Sequence, residues 1–384
     1  MLYRDLGETG EKISILGFGA MRFPTINHKA NQIDEKQSTA MLEYGIDNGI
    51  NFIDTAYSYH SSEHEEGGQS ELFLGEFLST GYRDKVLLST KLPSWLIEKK
   101  EDMEYYFNEQ LQRLNTDKID LYLLHSLKED YWKNLTNLDV FEFMDDIQND
   151  GSVKYIGFSF HDEVELLVDI LDSYDWDVVF TQMNYLDEHY QSGITGLQYL
   201  SSMNLGNVVM EPLRGGKLAE NIPSDVQNLW NQASTKRSPI EWAFRYLWNM
   251  EGISSVLSGM SSLEQVKENI AIANEGYPNS LTEEEKQLIK DVAMTYKEKQ
   301  DIACTQCGYC MPCPEKVDIP TCFKEYNIAK MLNHPDASSM QYFTLQNEEN
   351  LASSCTECGK CVPLCPQMIN IPKELKKVKQ LFGK

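Results

Sequence analysis

The sequence predicts an α/β protein, a (β/α)8 TIM barrel followed by a smaller, mainly helical C-terminal domain. Three observations predict it. Eight short apolar runs alternate with helix-period stretches as far as Asn274, all nine cysteines lie after residue 300, and the chain has 384 residues. A barrel of this type needs roughly 250 residues, which leaves room for a second domain.

The predicted strands are Ile13–Phe18, Asn51–Asp54, Val86–Thr90, Asp120–Leu124, Val153–Ser159, Val178–Met183, Asn207–Met210 and Ser255–Ser258. Between them the 3.6-residue period marks helices over Ser38–Asn48, Asp102–Leu114, Val140–Asn149 and Pro239–Trp248, with Glu264–Asn274 after the last strand. Strand-then-helix repetition favours a closed parallel barrel over an open sheet. Tyr190–Ser234 is irregular and polar and reads mostly as a long loop. Ser280–Lys299 reads as a linker helix with an acidic first turn, Thr282-Glu283-Glu284-Glu285. The expected division is therefore a barrel over 1–278, a linker helix over 279–300 and a cysteine domain over 301–384.

Lys plus Arg total 34 against 59 Asp plus Glu, a net charge of −25. A surface that acidic repels phosphate backbones and anionic lipid, so neither nucleic acid nor membrane is an expected partner. The start, Met1-Leu2-Tyr3-Arg4-Asp5, lacks a basic-then-apolar signal design, and no apolar run reaches the ~20 residues of a membrane span. A cytoplasmic, reducing compartment is expected, where nine cysteines point to metal or redox chemistry more than to disulfides.

The cysteines form two groups. Cys304-Thr-Gln-Cys307-Gly-Tyr-Cys310-Met-Pro-Cys313-Pro314 is the first, and Cys355-Thr-Glu-Cys358-Gly-Lys-Cys361-Val-Pro-Leu-Cys365-Pro366 is the second. The second matches the ferredoxin run C-x2-C-x2-C-x3-C-P, in which three thiolates grip one cubane and the fourth reaches the partner cluster. On that logic Cys304, Cys307, Cys310 and Cys365 hold one [4Fe-4S] cluster, and Cys355, Cys358, Cys361 and Cys313 hold the other. The first group is one residue short before Cys313, and Cys322 is a ninth cysteine that could replace it; Pro314 favours Cys313, leaving Cys322 as a buried spare. Paired four-cysteine zinc sites are the rival reading, disfavoured by the proline after each fourth cysteine. Each group is followed by a near-repeat, Val317-Asp318-Ile319-Pro320 and Ile369-Asn370-Ile371-Pro372. The long connection between halves suits a helical, ferredoxin-like dicluster module.

In such barrels chemistry sits at the C-terminal ends of strands. Asp54 ends the second predicted strand, Tyr59 follows it, Lys91 ends the third and His125 ends the fourth. These stretches, Asp54-Thr55-Ala56-Tyr57-Ser58-Tyr59, Ser89-Thr90-Lys91 and Leu123-Leu124-His125, resemble the catalytic tetrad of the aldo-keto reductases. Leu16-Gly17-Phe18-Gly19-Ala20-Met21-Arg22, Gly157-Phe158-Ser159, Gln182-Met183-Asn184-Tyr185, Glu211-Pro212-Leu213-Arg214-Gly215-Gly216 and Gln265-Val266-Lys267-Glu268-Asn269 are similar to that family too. With the cysteine tail, the whole chain resembles its ferredoxin-fused branch.

The resemblance implies that Tyr59 donates a proton to a carbonyl oxygen, Lys91 lowers the tyrosine pKa, Asp54 holds Lys91 and His125 orients the carbonyl. It implies a nicotinamide cofactor, NADP or NAD. Around that cofactor it places Gly19, Met21, Arg22, Ser159, Gln182, Met210, Pro212, Leu213, Arg214, Gly216, Ser258, Gly259, Ser261, Gln265, Glu268 and Asn269. The pattern departs from the family at four positions. Phe160 stands where an asparagine is expected, and Met210 stands where many members stack a tyrosine on the ring. Gly259 and Gln265 replace the usual lysine and arginine at the 2′-phosphate, a loss that Arg214 or Lys217 could offset. The loop Tyr59–Ser70, with His60, Glu63, His64, Glu65 and Glu66, could imitate a metal site but reads as a solvated loop.

Three functions follow from this reading. The first is an enzyme reducing a small carbonyl, or oxidising an alcohol, with a nicotinamide cofactor and coupled to electron transfer through the clusters. The second places a flavin in the barrel, wired by the clusters to an external redox protein. The third is a non-catalytic electron carrier. Substrate and oligomeric state stay open, although Trp95, Tyr131–Trp132 and Tyr185–Gln191 belong to loops expected to wall the pocket.

Overall fold

A computed structural model describes residues 1–62, 66–344 and 346–383. In chain order the elements are β1 (Tyr3–Asp5), β2 (Lys12–Ser14), β3 (Leu16–Gly19), α1 (Glu35–Asp47), β4 (Phe52–Asp54), α2 (Gln69–Ser79), β5 (Leu87–Leu92), α3 (Lys100–Arg113), β6 (Ile119–Leu127), α4 (Glu129–Asn137), α5 (Val140–Asn149) and β7 (Val153–Phe160). There follow α6 (Val164–Leu171), β8 (Val178–Gln182), α7 (Gly193–Ser202), β9 (Gly206–Met210), α8 (Ser224–Trp230), α9 (Pro239–Trp248), β10 (Ser255–Ser258), α10 (Leu263–Ala273), α11 (Glu283–Lys297), α12 (Ile319–Leu332), α13 (Pro335–Thr344) and α14 (Ile371–Phe382).

Strands β3 to β10 close into a parallel barrel, in sequence order with β10 returning to β3. Each predicted strand overlies a barrel strand, with one difference. The run Ile13–Phe18 divides, because its first residues pair with β1 in an antiparallel hairpin while the rest enters the barrel. The crossing falls at Ile15, whose N–H donates to Leu2 and whose carbonyl accepts from Val256. The hairpin plugs the barrel floor: Leu6 and Ile13 are fully buried against Phe52, Leu121, Phe180 and Val208. Burial of each is worth about 1.5–3 kcal/mol.

The stretch expected as a loop, Tyr190–Ser234, holds two helices as well as β9. Its α7 is disguised by glycines of low helix propensity. A Cβ on Gly196 would lie 2.9 Å from Leu167 of α6, so glycine is there for close helix contact. Packing overrides propensity.

The chain separates into two compact units, one of residues 1–215 with 241–282 and one of 216–240 with 283–384. Thus α11, expected as a linker, packs within the second unit beside α8, with ion pairs Lys299–Asp225 and Arg237–Glu285. The core of that unit gathers Val317, Phe323, Tyr342, Leu351, Leu375 and Val378. The near-repeats prove to be helix starts. Asp318 caps α12 by accepting from the Thr321 N–H, Asn370 caps α14 by accepting from the Lys373 N–H, and a proline sits in each first turn. Among the described residues no helix is long and apolar enough to cross a membrane.

Candidate active site and cysteine centres

Asp54 closes β4, and its register partner on β5 is Ser89, whose hydroxyl donates to Asp54 Oδ1 at 3.0 Å. Two residues further, on the same strand face, the Lys91 ammonium donates to Asp54 Oδ1 at 2.6 Å and to the Thr55 carbonyl at 2.7 Å. It also reaches the Tyr59 hydroxyl at 3.4 Å. Lys91 has no exposed surface and Asp54 almost none. Burial acts to lower the Lys91 pKa, but Asp54 and Tyr59 outweigh it and the value rises, so the ammonium stays charged. Burial pushes the Asp54 carboxyl up, opposed by the Lys91 charge and the Ser89 hydroxyl.

At Tyr59 burial works against the expected pull of Lys91. Lys91 does act to lower its pKa, yet burial outweighs that pull, and the phenol stands above its ordinary value. The acid form is therefore the resident one.

His125 lies within a strand and not at its end, since β6 continues to Leu127. A register shift after Leu124, with Ser126 at φ 54°, lets the histidine reach the mouth. Its ring lies 6.1 Å from that of Tyr59 and 5.1 Å from that of Trp95. All four tetrad positions thus converge, with Trp95 as one wall.

The residues expected at a nicotinamide divide into groups. Ser159 Oγ accepts from the Ser126 N–H at 2.7 Å, which leaves its hydroxyl proton to donate. Gln182 ends β8 beside Met210, which is half-buried against the barrel interior. Phe160 is fully buried and takes no part in a polar grip. Gly19 passes close to the Ser258 carbonyl, where a Cβ would stand at 3.3 Å. The Ser258 hydroxyl accepts from Asn269, and Gln265 accepts from the Ser261 N–H. Glu268 is exposed on the same helix, and Pro212 and Leu213 form the turn after β9.

Each cation expected to offset Gly259 and Gln265 has a partner of its own. Arg214 leans on Asp187 at 3.5 Å, and Lys217 belongs to the second unit, where it donates to Gln341. Gly216 opens that second unit. Arg22 lies beside Gly259 and, with Met21, is exposed. A Cβ on Gly259 would lie 2.8 Å from its Cδ, and one on Gly215 would lie 3.1 Å from its guanidinium. Two glycines make the cradle that Arg22 fills. These residues would suit a dinucleotide, with Ser159 and Gln182 offering polar groups to a carboxamide and Arg22 a cation to a phosphate.

The loop after β4 is not uniformly solvated. His60 is buried, with Nδ1 at 2.8 Å from the Ala30 carbonyl, and Glu66 is exposed. Glu63, His64 and Glu65 lie outside the described residues.

In the second unit Cys304, Cys307, Cys310 and Cys365 line one cavity, together with Ile319, Phe323 and Ile371. That is the crossed set expected for one cluster. Burial raises the Cys361 thiol, and neighbouring Cys355, Cys313 and Cys358 raise it further, so Cys313 lies near the second group. The two halves share one backbone. Gln306 and Glu357 adopt φ near +60° and donate N–H groups to Cys304 and Cys355 at 3.4 Å, while Gly308 and Gly359 sit at φ 73° and 72°. Lys316 and Met368 repeat at φ 61° and 54°. Thiols ranged around an apolar cavity in duplicated loops fit a pair of [4Fe-4S] cubanes. Cys322 is fully buried in the hydrophobic core of this unit, where burial pushes its thiol up to about 12.

Comparison with known proteins agrees with this geometry. Residues 15–294 match the aldo/keto reductase family. The chain belongs to that family. Residues 303–371 match the 4Fe-4S dicluster domain, so this aldo/keto reductase carries an iron–sulfur module after its barrel. It is 26% identical to L-galactose dehydrogenase of Arabidopsis thaliana, over 71% of this chain and 88% of that one. It is 27% identical to the uncharacterized oxidoreductase YqkF of Bacillus subtilis, over 79% and 98% respectively. The holo form of aldo-keto reductase AKR11C1 from Bacillus halodurans superposes with a TM-score of 0.62 at 26% identity, covering 76% of this chain and 96% of that one.

Proposed function

We propose that the barrel reduces a small carbonyl compound, or oxidises the corresponding alcohol, with a nicotinamide cofactor, and that the cysteine domain links it to one-electron transfer. The observation that carries this is the buried Lys91 ammonium, held by Asp54 at 2.6 Å and aimed at the Tyr59 hydroxyl at 3.4 Å. When bound, a reduced nicotinamide supplies a hydride to the carbonyl carbon. Tyr59 then gives its phenolic proton to the oxygen, and the adjacent Lys91 charge stabilises the phenolate left behind. Asp54 holds Lys91 in place, and His125 orients the carbonyl against Trp95. Ser159 and Gln182 hold the cofactor's amide and Arg22 its phosphates.

Eight cysteines in two crossed sets would hold clusters that each pass one electron. Two such clusters together match one hydride in electron count, and an external redox protein is the natural exchange partner. The reading is tested with protein purified anaerobically, by counting iron, sulfide, flavin and nicotinamide, and by following NADPH- or NADH-dependent reduction of benzaldehyde. Turnover that Tyr59→Phe abolishes is the expected result. A flavin that persists after cluster removal, with no nicotinamide-dependent turnover, would overturn it.

A further inference from the structure

Behind the tetrad lies a buried polar network that the proposed reaction does not itself use. Helix α3 turns Met103, Phe107 and Gln110 inward, an apolar stripe with an amide at its third position. Gln110 is fully buried. Its Nε2 donates to the backbone carbonyl of Lys91 at 3.0 Å and to Glu71 Oε1 at 2.7 Å, with Thr90 Oγ1 at 3.1 Å. Its Oε1 accepts from the Tyr122 hydroxyl at 2.8 Å, which fixes the amide's orientation.

Glu71, in the first turn of α2, is equally buried and also accepts from Thr90 at 2.7 Å and from Arg113 Nε at 2.8 Å. Arg113 then reaches forward. Its Nη2 donates to the Gly68 carbonyl, and its guanidinium lies 5.3 Å from the Tyr57 ring centroid. Gly68 abuts Tyr59, since a Cβ there would fall 1.9 Å from the Tyr59 carbonyl oxygen. Ser70, two residues on, donates its N–H to that same oxygen at 3.1 Å.

The network therefore begins on the main chain of Lys91 and ends on the loop that carries Tyr59. Lys91 lies on β5 and Tyr59 in the loop after β4, and the ammonium meets the Tyr59 hydroxyl at 3.4 Å. A fully buried carboxylate is costly, and apolar packing commonly matches such a network in stability, so what the network supplies here is fixed geometry. Displacements near 1 Å are enough to degrade a proton-transfer geometry.

We propose that Gln110, Glu71 and Arg113 are positioning residues that set the separation of Lys91 from Tyr59. The proposal rests on the carbonyl-reducing reading for its consequence, and on the geometry alone for its existence. None of the three touches the reacting atoms, so their effect runs through Lys91 and the Tyr59 loop.

The test uses the full-length, cluster-loaded protein, with ring-13C-tyrosine labelling and the Tyr59 signal assigned by its loss in Tyr59→Phe. Gln110→Met keeps the volume and removes the donors; Tyr122→Phe removes only the hydroxyl that orients the amide. Loosening Lys91 weakens its stabilisation of the phenolate, so the Tyr59 titration is expected to move upward by about half a pH unit in Gln110→Met. In NADPH-dependent benzaldehyde reduction, kcat is expected to fall about tenfold with KM changed less than about twofold, as for an interaction made in the transition state. A folded Gln110→Met protein with the parental Tyr59 titration overturns the proposal. Should that variant not fold, Tyr122→Phe decides, a shifted titration supporting the proposal and an unshifted one overturning it. If the parent reduces no aldehyde but the titration still shifts, the carbonyl reading fails and the positioning role stands.

Discussion

Lys91 Nζ lies 2.6 Å from Asp54 Oδ1, with neither side chain appreciably exposed to solvent. Removing one member of such a pair strands the other charge. We expect Lys91→Met to lower stability by about 3–5 kcal/mol and Asp54→Asn to lower it less, because the amide still accepts from Lys91. Chemical denaturation of the two variants beside the parent checks the order.

For the proposed chemistry, pH enters through Tyr59. Its pKa stands above the ordinary 10 because burial outweighs the Lys91 charge. Carbonyl reduction needs the phenol, so its kcat should stay level to pH 10 and fall as pH rises through the elevated value. Alcohol oxidation needs the phenolate and should rise over the same interval. Tyr59→Phe should lose about 10²–10⁴-fold in kcat and the pH dependence with it. Steady-state profiles in both directions are the measurement.

Gly68→Ala tests the loop behind the tyrosine. The added methyl would stand 1.9 Å from the Tyr59 carbonyl oxygen and 2.8 Å from the Ser61 nitrogen, both backbone atoms that cannot yield cheaply. A loss of about 1–3 kcal/mol is expected, with reduced turnover in the fraction that folds. Thermal melts and activity of the purified variant would show both.

The crossed ligand sets make a distinct forecast. Cys365→Ser should damage the cluster held by Cys304, Cys307 and Cys310, and Cys313→Ser the cluster held by Cys355, Cys358 and Cys361. Cys322→Ala should leave iron and sulfide content unchanged, since that thiol faces Tyr342 at 3.7 Å in the hydrophobic core. Iron analysis with electron paramagnetic resonance of the reduced proteins distinguishes the cases.

Arg22→Ala should weaken dinucleotide binding about tenfold and flatten its dependence on salt, as expected for a phosphate-binding cation. Titration of cofactor fluorescence against ionic strength gives the answer. An affinity unchanged by the substitution would remove Arg22 from the site.

Much of this protein could be read from its residues in order. The eight strand–helix units show in the apolar periods, and both ferredoxin-type runs are contiguous. The tetrad was legible because Asp54, Tyr59, Lys91 and His125 sit at or near the ends of apolar runs. Less legible were residues whose meaning depends on contacts across the fold. Glu71, Gln110 and Arg113 come from two helices, and the one local signal was an amide at the third position of the stripe Met103, Phe107, Gln110. Helix α7 was obscured because Gly196 serves contact with α6 at the expense of local propensity.

Sequence alone determined the kind of fold, the cluster-binding pattern and the tetrad, because periodicity, cysteine spacing and strand-end placement are local properties. Tertiary structure decided what depends on distance and burial. It fixed which thiols share a cavity, that Arg22 lies beside Gly259, and that burial outweighs the Lys91 charge in raising the Tyr59 pKa. Those outcomes are sums over neighbours far apart in the chain, and closing the barrel is what brings the neighbours together.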